Sequence, residues 1–163
     1  MQTTSTTETK PVVDAHTEKY LVFQIGNESY AIPLLQVQEI RSFTPVTRVP
    51  NAPNYVLGVM NLRGNIIAVL DARTRFVIEP QPDEENTVVV VVQVQGKTFG
   101  LRVDSVSDVA DVPVDQIQPP PPVASEATQK FLSGLVQLGD RVLILLNLPE
   151  IFDLNALSQF SAA

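Results

Sequence analysis

The sequence predicts an all-β protein in which one pattern of strands is written twice. Runs of Val and Ile, together with 13 Pro, favour strands joined by irregular connections. Residues 58–76 match residues 134–152 without a gap, at a constant offset of 76 residues (134 − 58 and 152 − 76). Upstream, residues 30–32 match residues 99–101 at an offset of 69 residues (99 − 30). The duplication therefore covers most of the chain, with a longer connection inside the second copy.

The length of 163 residues suits one domain of ordinary size. A single copy of about 60 residues would bury too little apolar surface, so the copies are expected to pack together or to exchange elements. We expect one domain over 20–153, divided into subdomains at about 20–80 and 87–152, between a disordered tail (1–19) and a C-terminal tail (154–163). The groove between the copies is the natural place for a partner.

The first copy opens with a predicted hairpin. Two β-rich segments, 20–25 and 29–33, flank the turn residues at 26–28. One helical turn is expected at 34–36 and a strand with one solvent-exposed face at 37–41. Several prolines then keep the chain irregular up to the matched stretch.

Each half of the long match predicts a strand, a two-residue turn, a second strand and a short helical end. The predicted turns are Gly64-Asn65 and Gly139-Asp140. Asp71 and its counterpart Asn147 precede the helical ends, so Asp71 is expected to cap the helix at 72–76, a role worth ~1 kcal/mol.

The connections between these segments have distinct compositions. Residues 79–86 are acidic and contain proline, which predicts a solvated connection. The unbroken valines at 88–92 predict a strand buried on both faces. The prolines at 119–122 predict a stiff spacer, with a ligand for an SH3-type domain as the alternative.

Composition excludes several classes of function. A net charge of −7, with only 11 Lys and Arg, argues against a nucleic-acid partner. The chain has no Cys and therefore no thiolate metal site or thiol nucleophile, and its single histidine, His16, falls in the predicted tail, where it is expected to be a bystander. No window approaches the roughly 18 apolar residues of a membrane span. We expect a cytoplasmic protein without cofactor, metal site or direct membrane insertion.

Catalytic motifs are absent from the sequence. It contains no phosphate-binding glycine loop, no HExxH and no GxSxG. The carboxylates that remain lie where turn-forming or solvated residues are usual, so we expect no catalytic residues and no enzyme activity.

Arg63 is the position where the two copies differ most informatively. Its counterpart is Gly139, so the hairpin itself does not require an arginine. A planar bidentate donor at a turn beside a groove indicates ion pairing or recognition, with a solvated surface arginine as the alternative. Glu39, whose counterpart is Asp108, is a candidate partner if the two strands face each other.

Several of these stretches carry a family resemblance. They are VQEIR at 37–41, GVMNLRGNIIAVLDAR at 58–73, NTVVVV at 86–91, VDSVSDV at 103–109 and GDRVLILLN at 139–147. Taken in order, they resemble the bacterial chemotaxis coupling proteins of the CheW family, from about residue 20 to residue 152. The NLRG and VQEIR signatures are specific in combination.

The resemblance implies two intertwined five-stranded SH3-like β-barrels and a non-enzymatic adaptor. Such an adaptor links the cytoplasmic tip of methyl-accepting chemoreceptors to the regulatory domain of the histidine kinase CheA, a domain of the same fold. It is therefore expected at the inner face of the membrane, recruited there through receptor arrays.

The resemblance also implies site residues. Functionally sensitive positions of the family correspond to Val37, Glu39, Gly58, Arg63, Gly64 and Val88. Gln118 and Val123 occupy a region implied to contact the kinase in larger arrays, where family members carry basic and aromatic residues.

Two other functions compete with this one. An adaptor of a twitching-motility or other chemosensory pathway would use the same module, and the sequence does not separate the two pathways. A β-barrel that binds small molecules or nucleic acid would need a basic, aromatic-lined face, which 6% aromatic residues and a net charge of −7 disfavour.

Overall fold

The computed structural model describes residues 16–76, 87–122 and 129–153. Strands dominate this part of the chain, which confirms the all-β class. The strands are β1 (Thr17–Ile25), β2 (Glu28–Pro33), β3 (Val37–Ser42), β4 (Val56–Leu62), β5 (Asn65–Asp71), β6 (Val88–Val94), β7 (Lys97–Val103), β8 (Ser105–Pro113), β9 (Leu132–Leu138) and β10 (Arg141–Leu146). The helices are α1 (Ala72–Arg75) and α2 (Leu148–Phe152), with 3-10 turns at Leu34–Gln36 and Val114–Gln116.

The strands pair into two five-stranded sheets. Sheet I has the order β8-β1-β2-β10-β9, and sheet II has the order β3-β6-β7-β5-β4. The two orders are equivalent, because β1 to β5 of the first copy correspond to β6 to β10 of the second. The central pairs, β2 with β10 and β5 with β7, are parallel, and the other pairs are antiparallel. Each sheet therefore joins the first hairpin of one copy to the last three strands of the other.

Three clusters of buried side chains form the core. The central core lies between the sheets and contains Phe99 and Phe152, whose stacked rings have centroids 4.7 Å apart. Sheet I and sheet II each enclose a smaller cluster of their own. On β6, Val90 belongs to the central core and Val89 to the sheet II cluster, and both are fully buried. The prediction that this strand is buried on both faces is confirmed, because it is an inner strand with a core on each side.

One predicted turn is wrong by one residue. Leu62 pairs with Asn65, so the turn of the β4–β5 hairpin is Arg63-Gly64 and not Gly64-Asn65. Both turn residues have positive φ, 51° at Arg63 and 91° at Gly64, as tight hairpin turns require. The second turn, Gly139-Asp140, is confirmed by the pairing of the strands on either side of it.

The predicted capping role of Asp71 is also wrong. Asp71 stands at the N-cap position of α1, but its side chain makes no capping hydrogen bond. It is buried, accepts a hydrogen bond from Thr74 Oγ1 at 2.8 Å and pairs with the buried Arg102, with Nη2 and Oδ2 3.3 Å apart. The parallel register of β5 and β7 places Asp71 directly beside Arg102, and this long-range pairing replaces the local cap.

The first strand begins inside the segment assigned to a disordered tail. β1 starts at Thr17, Lys19 Nζ lies 2.8 Å from Asp111 Oδ1, and the carbonyl of His16 accepts a hydrogen bond from the N–H of Val114. Pairing of β1 with β8 orders these residues, because it satisfies their backbone groups. Residues 1–15, the connection at 79–86, Val123 and the C-terminal tail lie outside the described residues.

Candidate functional site

Glu39 and Arg63 bring the two edges of sheet II together. Glu39 lies on β3 and Arg63 in the turn after β4, the two strands at opposite ends of the strand order. Arg63 Nη2 is 2.5 Å from Glu39 Oε2. This hydrogen bond lowers the pKa of the Glu39 carboxyl and raises the pKa of the Arg63 guanidinium. The structure therefore answers the question that the sequence left open: Arg63 forms an ion pair.

A backbone bridge joins the same two edges. The N–H of Thr47 donates to the carbonyl of Val59 at 2.9 Å, and the N–H of Val59 donates back at 2.8 Å. The chain beyond β3 thereby reaches β4, and sheet II curls. Gly58 is required by this approach, because a Cβ at that position would lie 2.3 Å from the carbonyl oxygen of Thr47.

A shallow groove runs along the converging edges of sheet II. One end has a volume of about 550 Å³. The adjoining end, of about 320 Å³, shares three of the same residues. We call this the sheet II groove; its lining residues are Glu39, Ile40, Arg41, Ser42, Thr44, Pro45, Thr47, Val59, Met60, Asn61, Arg63 and Ile66.

Apolar side chains are exposed at this groove. Ile40 is 46% exposed and Ile66 is 40% exposed. Burying such side chains against a partner stabilises a complex by about 25 cal/mol for each Å² removed from water. The groove thus combines exposed apolar side chains with an ion pair, which is a common composition of protein-binding surfaces.

Sheet I carries an equivalent surface. Asp108, the counterpart of Glu39, accepts two hydrogen bonds from Arg141, at 3.1 and 2.9 Å. Val109 and Val142, 46% and 50% exposed, are the counterparts of Ile40 and Ile66 at the offsets of 69 and 76 residues. We call these four residues the sheet I face. The same pair of exposed apolar side chains beside an acid–arginine pair is therefore present twice.

The backbone bridge is repeated as well. Gln118 exchanges two hydrogen bonds of 2.8 Å with Leu135, the counterpart of Val59. A Cβ on Gly134 would lie 2.8 Å from the carbonyl oxygen of Gln118, which explains why this glycine recurs. Gln118, predicted as a contact to the kinase, thus has a structural role in its backbone, and its side chain remains a candidate contact.

The predicted site residues do not all lie together. Glu39, Arg63 and Gly64 meet at one end of the sheet II groove, where the N–H of Gly64 donates to Asn61 Oδ1 at 2.9 Å. Val37 and Val88 are half-buried and pack against the central core at opposite ends of β3. Gly58 lies beneath Thr47, as described above.

Three residues of the groove were missed from the sequence. Glu39 and Arg41 lie on the half-buried face of β3, whereas Ile40 is exposed together with its polar neighbours. Ile40 and Ile66 read as core residues because apolar side chains usually are. The signal that could have found them is their recurrence as Val109 and Val142 in strands where the apolar alternation is broken.

Two structural searches were negative within the described residues. In the ranges 16–76, 87–122 and 129–153, no three His, Cys, Asp or Glu side chains are grouped so that they could hold a metal ion. No helix in the same ranges is long and apolar enough to cross a membrane.

Comparison with known proteins shows where this architecture belongs. The family model described as CheW-like domain matches residues 19–156. The chain is 41% identical over 134 residues to the chemotaxis protein CheW of Klebsiella aerogenes, covering 82% of this chain and 81% of that protein. It is 36% identical over 132 residues to a probable chemotaxis protein CheW of Rhizobium etli, covering 81% of this chain and 85% of that protein.

A solved structure agrees with these matches. The crystal structure of the scaffolding protein TtCheW from Thermoanaerobacter tengcongensis superposes with a TM-score of 0.77 at 31% sequence identity. The match covers 85% of this chain and 94% of that one. The chain therefore belongs to the CheW family of bacterial chemotaxis proteins.

Proposed function

We propose that this protein is a non-enzymatic adaptor that couples the cytoplasmic tips of chemoreceptors to the regulatory domain of the histidine kinase CheA. An adaptor must hold two partners at once in a fixed relative geometry. It needs separate docking surfaces on a rigid body, and it needs no reactive groups. We place it in the cytoplasm, held at the membrane through its receptor partners.

The duplicated surface is the observation that carries this proposal. The sheet II groove and the sheet I face present equivalent apolar pairs, Ile40 with Ile66 and Val109 with Val142. Exposed apolar side chains that recur in equivalent positions are not explained by folding, because each costs solvation without contributing to the core. Two such surfaces on one domain suit a scaffold that bridges partners.

The predicted site residues contribute in two ways under this proposal. Glu39 and Arg63 offer polar side chains at the groove and contact a partner directly. Gly64 sets the turn that presents Arg63. Val37, Gly58 and Val88 act through the position of β3 and β4, since they pack against the core or the bridge.

Reconstitution tests the proposal. CheA and a chemoreceptor from the same organism, in membranes, are assayed for receptor control of kinase activity with and without the wild-type protein. We expect receptor control only when the protein is present. Ile66→Asp and Val142→Asp should each weaken assembly, because each places a charge in an apolar contact.

Val114→Asp is the matched control. Val114 is 39% exposed and lies outside both surfaces, so this variant should behave as the wild type. Receptor control that is unchanged by the wild-type protein would refute the adaptor function. Recovery of a twitching-motility kinase in place of CheA in a pull-down would assign the same surfaces to that pathway.

A further inference from the structure

Arg41 is a half-buried cation in the sheet II groove that forms no ion pair with any described residue. It lines both ends of the groove. The carboxylate nearest to it along β3, Glu39, is held by Arg63 at 2.5 Å. Two arginines and one glutamate give the groove a formal charge of +1, although the whole chain carries −7.

A half-buried guanidinium of this kind gains most from a partner that supplies a carboxylate. In the free protein, Arg41 has lost part of its hydration without a full electrostatic return. A carboxylate that enters the groove can form two parallel hydrogen bonds with the guanidinium, in a setting where water is displaced. Ile40 and Ile66 beside it would exclude that water.

The sheet I face lacks this feature. The counterpart of Arg41 at the offset of 69 residues is Ala110, which is buried in the sheet I cluster. The exposed turn of sheet I carries Asp140 where sheet II has Gly64. The two surfaces therefore share their apolar pair and their acid–arginine pair, but they differ in the charge that they offer to a partner.

The form of the groove also restricts its occupant. The groove follows β3, an edge strand of sheet II. An edge favours a strand or an extended loop, because the main chain of such a segment has free hydrogen-bonding groups, whereas those of a helix are already paired. Of the two partners in the proposed function, the kinase regulatory domain is the β-structured one, and the receptor tip is helical.

We propose that Arg41 is the specificity-determining residue of the sheet II groove, and that it binds an Asp or Glu carboxylate presented beside an apolar side chain by an extended segment of the kinase regulatory domain. This inference rests on the proposed function. It explains how one chain with two nearly equivalent surfaces gives each of them a different partner segment.

Binding measurements with the full-length protein test this inference. Surface plasmon resonance is run over the immobilised CheA regulatory domain, and separately over a chemoreceptor cytoplasmic fragment. Arg41→Gln should raise Kd for the kinase domain by about tenfold, the loss expected for one charge-assisted contact. It should also reduce the dependence of Kd on salt, and Arg41→Lys should restore part of the affinity because the charge returns without the bidentate geometry.

Arg48→Gln is the matched control, since Arg48 is exposed and lines neither end of the groove. Circular dichroism establishes that each variant is folded. Equal binding by Arg41→Gln and Arg48→Gln, with Ile66→Asp still impaired, would overturn the inference and leave the proposed function standing. Loss of binding to the receptor fragment alone would overturn the assigned occupant. Failure of the wild type to bind the kinase domain would overturn both.

Discussion

Glu39 and Arg63 lie 24 residues apart in the sequence and close the gap between the two edge strands of sheet II, with Arg63 Nη2 2.5 Å from Glu39 Oε2 (63 − 39 = 24). The equivalent edges of sheet I are joined by Asp108 and Arg141. In the second pair the arginine comes from the first residue of β10 and not from the turn before it. Both lobes thus reach the same electrostatic link from different positions of the hairpin.

Arg63→Gly should separate the turn from the ion pair. Arg63 has φ 51°, which glycine adopts without strain, and glycine is its counterpart in the second copy. The hairpin is expected to persist. The pKa of Glu39 should rise toward its ordinary value, because the hydrogen bond from Arg63 that lowers this pKa is lost. Titration of the Glu39 carboxyl carbon by NMR measures this change, and an unaltered pKa would contradict the ion pair in solution.

Arg63→Glu should impair partner binding without impairing folding. The substitution places a second carboxylate beside Glu39, so the end of the groove changes from a neutral pair to two negative charges. Co-sedimentation with receptor and kinase should weaken by about tenfold or more, as expected for reversal of a charge at an interface. The circular dichroism spectrum should stay that of the wild type. A loss of folding would make Arg63 a structural residue.

Asp104 makes stability depend on pH. Burial opposes its ionisation, but hydrogen bonds from Arg73 and from the N–H of Gly26 outweigh burial and lower the pKa of Asp104. Its contribution to stability is therefore present above the ordinary carboxyl pKa and is lost as the pH falls through the lower pKa of the folded state.

Asp104→Asn should lower the free energy of unfolding at pH 7 by about 2 kcal/mol, the magnitude typical of hydrogen bonds to a charged group. Urea unfolding at pH 7 and at pH 3 measures the difference from the wild type, which should shrink at the lower pH. Asp111→Asn, which removes an exposed ion pair with Lys19, is the control and should change little. A difference that is equal at both pH values would argue against the ionised state of Asp104 as the cause.

Gly58→Ala should be more destabilising than Gly134→Ala. A Cβ at Gly58 would meet the carbonyl oxygen of Thr47 at 2.3 Å, and one at Gly134 would meet that of Gln118 at 2.8 Å. Backbone atoms in a paired bridge cannot move as freely as a side chain, so both substitutions should cost about 1–3 kcal/mol, with the larger cost at Gly58. Thermal and urea unfolding give the order, and the reverse order would contradict the geometry of the two bridges.

Arg75→Lys should loosen the contact between the two copies. The Arg75 guanidinium stacks on Tyr55 at 3.9 Å and on Phe131 at 4.6 Å, and it donates hydrogen bonds to the carbonyls of Ile151 and Glu150 in α2. Lysine keeps the charge but loses the planar stacking and the second donor, so the free energy of unfolding should fall by about 1–2 kcal/mol. Arg48→Lys, at an exposed position, should leave the urea midpoint unchanged. Equal midpoints for the two variants would show that the stacking contributes nothing.

Local pattern was sufficient for the strands and most of the turns. Alternation, β-branched runs and turn residues predicted the paired segments of both copies, since a hairpin is specified by residues close in sequence. The β4–β5 turn was displaced by one residue because Gly64-Asn65 is itself a good turn pair, while the burial of Leu62 and Ile67 sets the actual register. Comparison with Gly139, the residue that matches Arg63, contained the correction.

The sequence by itself determined the duplication, the all-β class and the family, because repeated apolar spacing and turn chemistry are local properties that survive in one dimension. Only the tertiary structure decided which strands share a sheet, that Asp71 pairs with Arg102 and not with its own helix, and that Ile40 and Ile66 face solvent. These depend on contacts between residues far apart in the chain. Such contacts form only when each copy lends its first hairpin to the other, and that exchange also creates the two surfaces where we place the function.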